Sequence, residues 1–307
     1  MIECIENYDL KPHTTFKIGG YAKKAFFPET KEEFVELLTD FASKNVTPVV
    51  FGGCSNVLIS SKGISQPVIM TSKLNKFNFE DNILTAQCGV KGGIISKEAQ
   101  EKGLSGLEFM IGFPGWVGGM VFMNASAHNQ AVSDIFVEAE VFDFNTRKIL
   151  ILSNEDMKFS YRKSILQLMP YILLSAKFQL EKKDEAQIND LMERNLEFRK
   201  SRQPNLSEPN IGSIFKNPVG DSAGRLLDLV GAKEFKSGGA KVWGGHANFI
   251  VNFDNATSLD VLMLIKRCYD EIYKDYMIKL VPEIRYVGDM SEKEAEIWKE
   301  LSIKGLV

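Results

Sequence analysis

Two residue types that hold metals and form cross-links are scarce: the 307 residues include four cysteines and three histidines. Cys4, Cys54, Cys88 and Cys268 form no C-x-x-C pair, and His13, His128 and His246 lie far apart in the chain. A zinc site draws on closely spaced ligands of these types, so no metal is expected and the thiols are read as free and buried. No sign of charge dominates either, since 37 Lys and Arg face 40 Asp and Glu for a net charge of -3. Proteins that grip a phosphate backbone carry a basic excess, so nucleic acid is not expected as a partner. Long apolar runs are missing too. Val49 to Phe51 and Tyr171 to Ala176 fall far short of the roughly 20 residues that cross a bilayer. Residues 1–12 lack a basic segment followed by an apolar one, so no signal peptide is expected and the chain is read as cytoplasmic. Neither repeats nor low-complexity segments are visible.

What is present is an ordinary globular composition, 44% apolar and 25% charged, in a chain long enough for two or three packed units. Apolar residues at helical spacing after Thr30 predict a helix over 31–44, capped by that threonine and acidic in its first turn. It lies between the strand-like Ala22 to Phe27 and Val46 to Phe51, the second of which ends in Gly52-Gly53. Short strands are expected over 66–90, a helix over 92–102, a hairpin over 135–152 turning at Asp143 to Lys148, and a strand over 170–180. The charged stretch 181–202 places Ile188, Leu191, Met192, Leu196 and Phe198 at helical intervals and stops before Gln203-Pro204. Beyond it come a short helix over 223–230, a strand pair over 242–253, a long helix over 257–273, a strand over 278–286 and a terminal helix. The expected class is α+β.

Three motifs draw attention. In Phe51-Gly-Gly-Cys-Ser-Asn56 two glycines and small polar side chains follow a buried strand, a turn able to aim backbone N–H groups at a phosphate. An ordinary hairpin uses glycine pairs as well, and the motif alone leaves both readings open. Ile111 to Asn124 interleaves four glycines and Pro114 with Ile111, Phe113, Trp116, Val117 and Met120, which suits a buried bed for a flat or anionic ligand better than a surface loop. Neither stretch is the G-x-G-x-x-G fingerprint of a Rossmann domain. Asn210-Ile-Gly-Ser-Ile-Phe-Lys-Asn-Pro218 presents a serine, but without the G-x-S-x-G elbow of a serine hydrolase. Arg162, in Phe159-Ser-Tyr-Arg-Lys-Ser, and Glu283, in Leu280-Val-Pro-Glu-Ile-Arg, are charged residues in unusual settings. A structural salt bridge would explain each one, and burial of the carboxyl would raise its pKa.

Taken in order, Lys11-Pro-His-Thr-Thr-Phe-Lys-Ile-Gly-Gly, Gly52-Gly-Cys-Ser-Asn, Gly112-Phe-Pro-Gly-Trp-Val-Gly-Gly, Tyr161-Arg-Lys-Ser, Gly212-Ser-Ile-Phe-Lys-Asn-Pro and Pro282-Glu-Ile-Arg make a specific set. Through them the chain, from about residue 7 to 288, resembles the UDP-N-acetylenolpyruvoylglucosamine reductase (MurB) family. The short interval between Arg162 and Ser213 is similar to its loopless, type II subgroup. The resemblance implies a two-lobed FAD-binding domain of the vanillyl-alcohol-oxidase (PCMH) type over 1–190, with lobes 1–72 and 73–190. A C-terminal α+β substrate-binding domain over 191–290 and a tail over 291–307 would follow. It further implies a monomer that uses FAD, NADPH and UDP-N-acetylenolpyruvoylglucosamine.

By motif position, Gly52, Gly53, Cys54, Ser55 and Asn56 would hold the FAD pyrophosphate. Gly112, Pro114, Gly115, Gly118 and Gly119 would line the opposite side. Ser213 is similar to the family's proton donor, and Arg162 and Glu283 to the pair that stabilises the substrate carboxylate. Tyr161, Arg202 and Asn217 are similar to substrate contacts. The chain departs from the family pattern at Trp116, where threonine is more common, and at Cys54, where glycine often sits. Asn124-Ala-Ser-Ala-His-Asn also replaces the common Asn-Ala-Gly-Ala-Tyr-Gly. The readings that compete are an alcohol or sugar oxidase of the same fold, which needs no such serine, arginine and glutamate, and a non-catalytic flavin or nucleotide-sugar binder.

Overall fold

The computed structural model describes residues 2–304. The chain folds as two compact units, and each is assembled from three stretches: residues up to 5, 25–53 and 67–199 form the first, while 6–24, 54–66 and 200 onward form the second. The sequence reading placed its main domain boundary after residue 190, a position that lies inside the continuous helix Glu185–Arg202.

The first unit begins with a parallel arrangement. Ala25 and Phe26 pair with Val68 and Ile69, and Val49–Phe51 pairs in parallel on the other side of Val68–Met70. Between these strands runs the helix Lys31–Ser43, shorter by one residue than its periodicity implied. Its start is capped twice: Thr30 Oγ1 accepts the N–H of Glu33, and the Glu33 carboxylate accepts the N–H of Glu29. The rest of the unit is a five-stranded antiparallel sheet in the order Lys148–Ser153, Phe136–Asp143, Tyr171–Gln179, Ile83–Gln87, Phe77–Glu80. Asp143 closes the hairpin between the first two, its carboxylate accepting from the N–H of Asn145 and the hydroxyl of Thr146. Phe34, Leu38, Ile69, Leu84, Phe109, Phe142 and Phe178 belong to one buried core. On helix Glu185–Arg202, Ile188 and Met192 are buried against Ile111, while Leu191 and Phe198 are exposed.

The second unit is built on the antiparallel sheet Asn210–Ser213, Phe249–Asn252, Ala240–Val242, Lys236–Ser237. Helix Ser258–Tyr276 buries Val261, Leu262, Ile265, Cys268, Tyr269 and Ile272 in a core shared with Phe16, Leu58, Phe215, Leu226 and Ile250. Thr257 and Asp260 form a reciprocal capping box at its start, and Met277, in the left-handed region, ends it with an N–H bond to Tyr273 O. The strand expected over 278–286 is shorter in the structure. Only Arg285–Val287 is a strand, parallel to Val57–Ile59. Pro282 has no N–H to donate to a ladder, and the segment before Arg285 touches its neighbour through the single bridge between Pro282 and Phe215. The terminal helix is Glu292–Lys304, and the last three residues of the expected tail lie outside the described residues. No helix among the described residues is long and apolar enough to cross a membrane.

Candidate active site

In the first unit, two loops are stitched together by their main chains. Gly118 N–H donates to Cys88 O at 2.8 Å, Val117 N–H to Val90 O at 2.8 Å, and Gly92 N–H to Gly115 O at 3.0 Å. Such close approach explains part of the glycine density, since a Cβ on Gly118 would stand 3.1 Å from Cys88 O. Gly112, at φ +78°, turns the chain before Phe113-Pro114. Trp116 lies over the other glycine pair: a Cβ on Gly53 would come 2.7 Å from its Nε1 and 3.0 Å from Pro114 O. Gly52, Gly53, Pro114, Gly115 and Trp116 therefore form one surface.

The loops leave room for a flat or anionic ligand. The helices Gly92–Glu101 and Val117–Phe122 both start without a side-chain cap, and a Cβ added at Gly93 or Gly119 would meet nothing within 4 Å. Glycines that open onto free space beside uncapped N–H groups leave room for a phosphate or ring edge and supply donors for it. Cys88, beneath the loop, is no nucleophile: burial pushes its thiol up to about 12.

Arg162 also belongs to the first unit. It sits at φ +56°, its guanidinium 5.2 Å above the Tyr161 ring, and its Nη1 donates to Ser126 Oγ at 2.6 Å. Gln167 Nε2 holds the Arg162 carbonyl at 3.1 Å, so both ends of the residue are positioned. Ser126 comes from the 124–129 stretch that departs from the family pattern. Its role was not legible in the sequence, because nothing local links positions 126 and 162. His128, from the same stretch, meets Phe198 edge-on at 5.3 Å.

The remaining candidates gather in the second unit. Ser213 ends the strand Asn210–Ser213 just after Gly212, whose φ is +79° and whose N–H donates to Asn210 Oδ1. The chain beyond it is clamped by Asn248, a side chain 4% exposed. Phe215 N–H donates to Asn248 Oδ1 at 2.9 Å, Asn248 Nδ2 donates to Phe215 O at 2.8 Å, and Ile214 N–H donates to Asn248 O at 3.0 Å. Glu283 joins this segment from the other side, its N–H donating to Ile214 O at 2.7 Å. Asn56 closes the group: its Nδ2 donates to Glu283 O at 3.2 Å, and its own carbonyl accepts the N–H of Arg285 at 3.0 Å. Ser55 O is 4.0 Å from where a Cβ of Gly212 would lie.

The segments that carry Ser213, Glu283 and Asn56 are thus held together by main-chain bonds and the Asn56 amide. Cys54 is buried at φ +49°, and burial pushes its thiol up to about 12, so it serves as a small apolar filler. Arg202 is exposed at the end of its helix. Asn217 is exposed as well, with its Oδ1 accepting the N–H of Ala223 at 3.0 Å. Asn248 is the residue that sequence reasoning missed, and only the apolar setting Ala-Asn-Phe-Ile hinted that its amide is buried.

The glycine-dense loops lie in the first unit and Ser213 and Glu283 in the second, and comparison with known proteins shows an FAD-dependent oxidoreductase. The family profile "FAD binding domain" matches residues 22–153, and "UDP-N-acetylenolpyruvoylglucosamine reductase, C-terminal domain" matches residues 203–287. The UDP-N-acetylenolpyruvoylglucosamine reductase of Caldicellulosiruptor bescii is 40% identical over 94% of this chain and 92% of its own. That of Bacillus subtilis is 39% identical over 93% of this chain and 94% of its own. The crystal structure of the Thermus caldophilus enzyme superposes with a TM-score of 0.79 at 31% identity, covering 93% of this chain and 98% of that one. The fold is α+β, with an FAD-binding domain of the vanillyl-alcohol-oxidase (PCMH) type. The chain belongs to the UDP-N-acetylenolpyruvoylglucosamine reductase family.

Proposed function

We propose that this chain is the UDP-N-acetylmuramate dehydrogenase of peptidoglycan precursor synthesis, reducing UDP-N-acetylenolpyruvoylglucosamine with electrons from NADPH. The observation that carries the reading is the main-chain bond from Glu283 to Ile214, the neighbour of Ser213, in a family that matches the chain over nearly its whole length. When bound, FAD would supply the hydride chemistry that links NADPH to C3 of the enolpyruvyl group.

Gly52 to Asn56 hold its pyrophosphate, and Gly112, Pro114, Gly115, Gly118 and Gly119 form its bed. During reduction negative charge builds on C2 of the substrate and on the attached carboxylate. Preorganised donors facing such charge lower the barrier by about 3 kcal/mol each, which is the role of the Arg162 guanidinium and the Glu283 carboxyl. Ser126 and Gln167 keep the arginine from spending that energy on finding its orientation. The Ser213 hydroxyl delivers a proton to one face of C2 and sets the stereocentre. An alcohol of high pKa can do so because the enolate is a stronger base. Tyr161, Arg202 and Asn217 contact the substrate. The protein acts in the cytoplasm as a monomer of the loopless subgroup.

Stopped-flow measurement of the two half-reactions tests these roles. Ser213→Ala is expected to keep its FAD and its rate of reduction by NADPH, and to slow reoxidation by the enolpyruvyl substrate by about 10²–10⁴-fold. Equal loss of both half-reactions would contradict the proton-donor role.

A further inference from the structure

The loop Trp243 to Asn248 joins strands Ala240–Val242 and Phe249–Asn252 and is closed by its own main chain. Trp243 N–H donates to Phe249 O at 2.8 Å, His246 N–H to Trp243 O at 3.3 Å, and Phe249 N–H to His246 O at 3.1 Å. The imidazole of His246 is fixed as firmly as its backbone. Nδ1 accepts the N–H of Asn248 at 3.1 Å, and the ring meets Phe249 edge-on at 5.3 Å. Gly224 makes room for it, since a Cβ there would lie 2.4 Å from Cε1.

An accepting Nδ1 selects one neutral tautomer, with the proton on Nε2. Burial favours the neutral ring as well and lowers its pKa, with Asp228 opposing and Lys233 and Arg202 adding to the effect. The result is a half-buried, neutral N–H donor whose Nε2 meets no hydrogen-bond partner among the described residues. A half-buried donor of this kind is open to water or to the oxygen of a ligand.

The surroundings define that ligand. Asn248, which orients the ring, also carries the segment that follows Ser213. The charge of Arg202 reaches the ring. Asn217 is bonded to Ala223, the chain neighbour of Gly224. A neutral N–H donor within the field of a guanidinium fits an anionic oxygen. We propose that His246 is a substrate-binding residue that donates its Nε2–H to a phosphate oxygen of a nucleotide substrate. This deepens the functional reading above and rests on it, since both the UDP-sugar and NADPH carry such phosphates.

The experiment uses the FAD-loaded wild type, His246→Ala and His246→Gln. Both variants lose the bond to Asn248, and only glutamine retains an N–H at the ε position. UDP and NADP+ are each titrated calorimetrically, and KM and kcat are measured for both substrates. The alanine variant is expected to raise one KM about tenfold while kcat changes by less than about twofold, with glutamine recovering most of the loss. Weaker binding confined to UDP identifies the sugar nucleotide's diphosphate as the acceptor, and weakening confined to NADP+ identifies the dinucleotide's. Unchanged affinity for both in an alanine variant that holds FAD would overturn the proposal. Equal losses in the alanine and glutamine variants, accompanied by loss of FAD, would overturn it too, since only a structural role would remain. A wild type that fails to turn over would defeat the functional reading, while the two titrations would still decide the role of His246.

Discussion

Asn248 illustrates how one buried amide can hold the segment that follows Ser213. Its side chain satisfies both the N–H and the carbonyl of Phe215, two residues past Ser213, in a place with almost no access to water. Asn248→Ala leaves two buried main-chain groups unpaired, so a loss of about 2–4 kcal/mol is expected in urea unfolding at unchanged m-value. A change below about 0.5 kcal/mol would show that the clamp is dispensable. Single residues were legible in the sequence where the motif was continuous. Ser213 and Glu283 stand in short, unusual strings, and the glycines of 112–119 announced themselves by density. Partners were not legible, because Ser126 with Arg162 and Asn248 with Phe215 are joined by tertiary contacts over 36 and 33 positions.

Among the elements, the longer helices were legible from their apolar spacing, whereas the short helix Val117–Phe122 and the true extent of the strand before the terminal helix were not. The periodicity of 278–286 looked extended, but Pro282 and the bonds from Glu283 to Ile214 hold that stretch as a crossing segment rather than a ladder. The terminal helix has its own fastening. Glu294, 3% exposed, accepts from Ser258 Oγ at 2.5 Å and from the N–H and hydroxyl of Ser291 at 2.8 and 2.6 Å. Burial by itself would raise this carboxyl, but the bonds from Ser258 and Ser291 outweigh it and hold the pKa below the usual 4.5. A carboxyl lowered in the fold contributes stability that is complete above its unfolded value and is lost as pH falls through its folded one. The urea midpoint is therefore expected to drop below about pH 4.5, and Glu294→Gln, less stable than the wild type at pH 7, should flatten that drop. Parallel pH curves for the two proteins would contradict the fastening.

At the scale of the whole molecule, the ordered motifs pointed to an α+β flavoprotein through the family they resemble, whereas the way the chain divides was not visible. Each compact unit draws on three separate stretches, and Val57–Ile59 finds its partner Arg285–Val287 far along the chain, a pairing no local pattern announces. The segment Gly52 to Asn56 passes from one unit to the other after Gly53. The central claim is that this molecule passes electrons from NADPH through FAD to an enolpyruvyl sugar nucleotide. An anaerobic absorption titration of the FAD-loaded protein tests it most directly. NADPH is expected to bleach the visible flavin band, and UDP-N-acetylenolpyruvoylglucosamine to restore it in equal molar amount. Bleaching that persists after the sugar nucleotide is added would contradict the account.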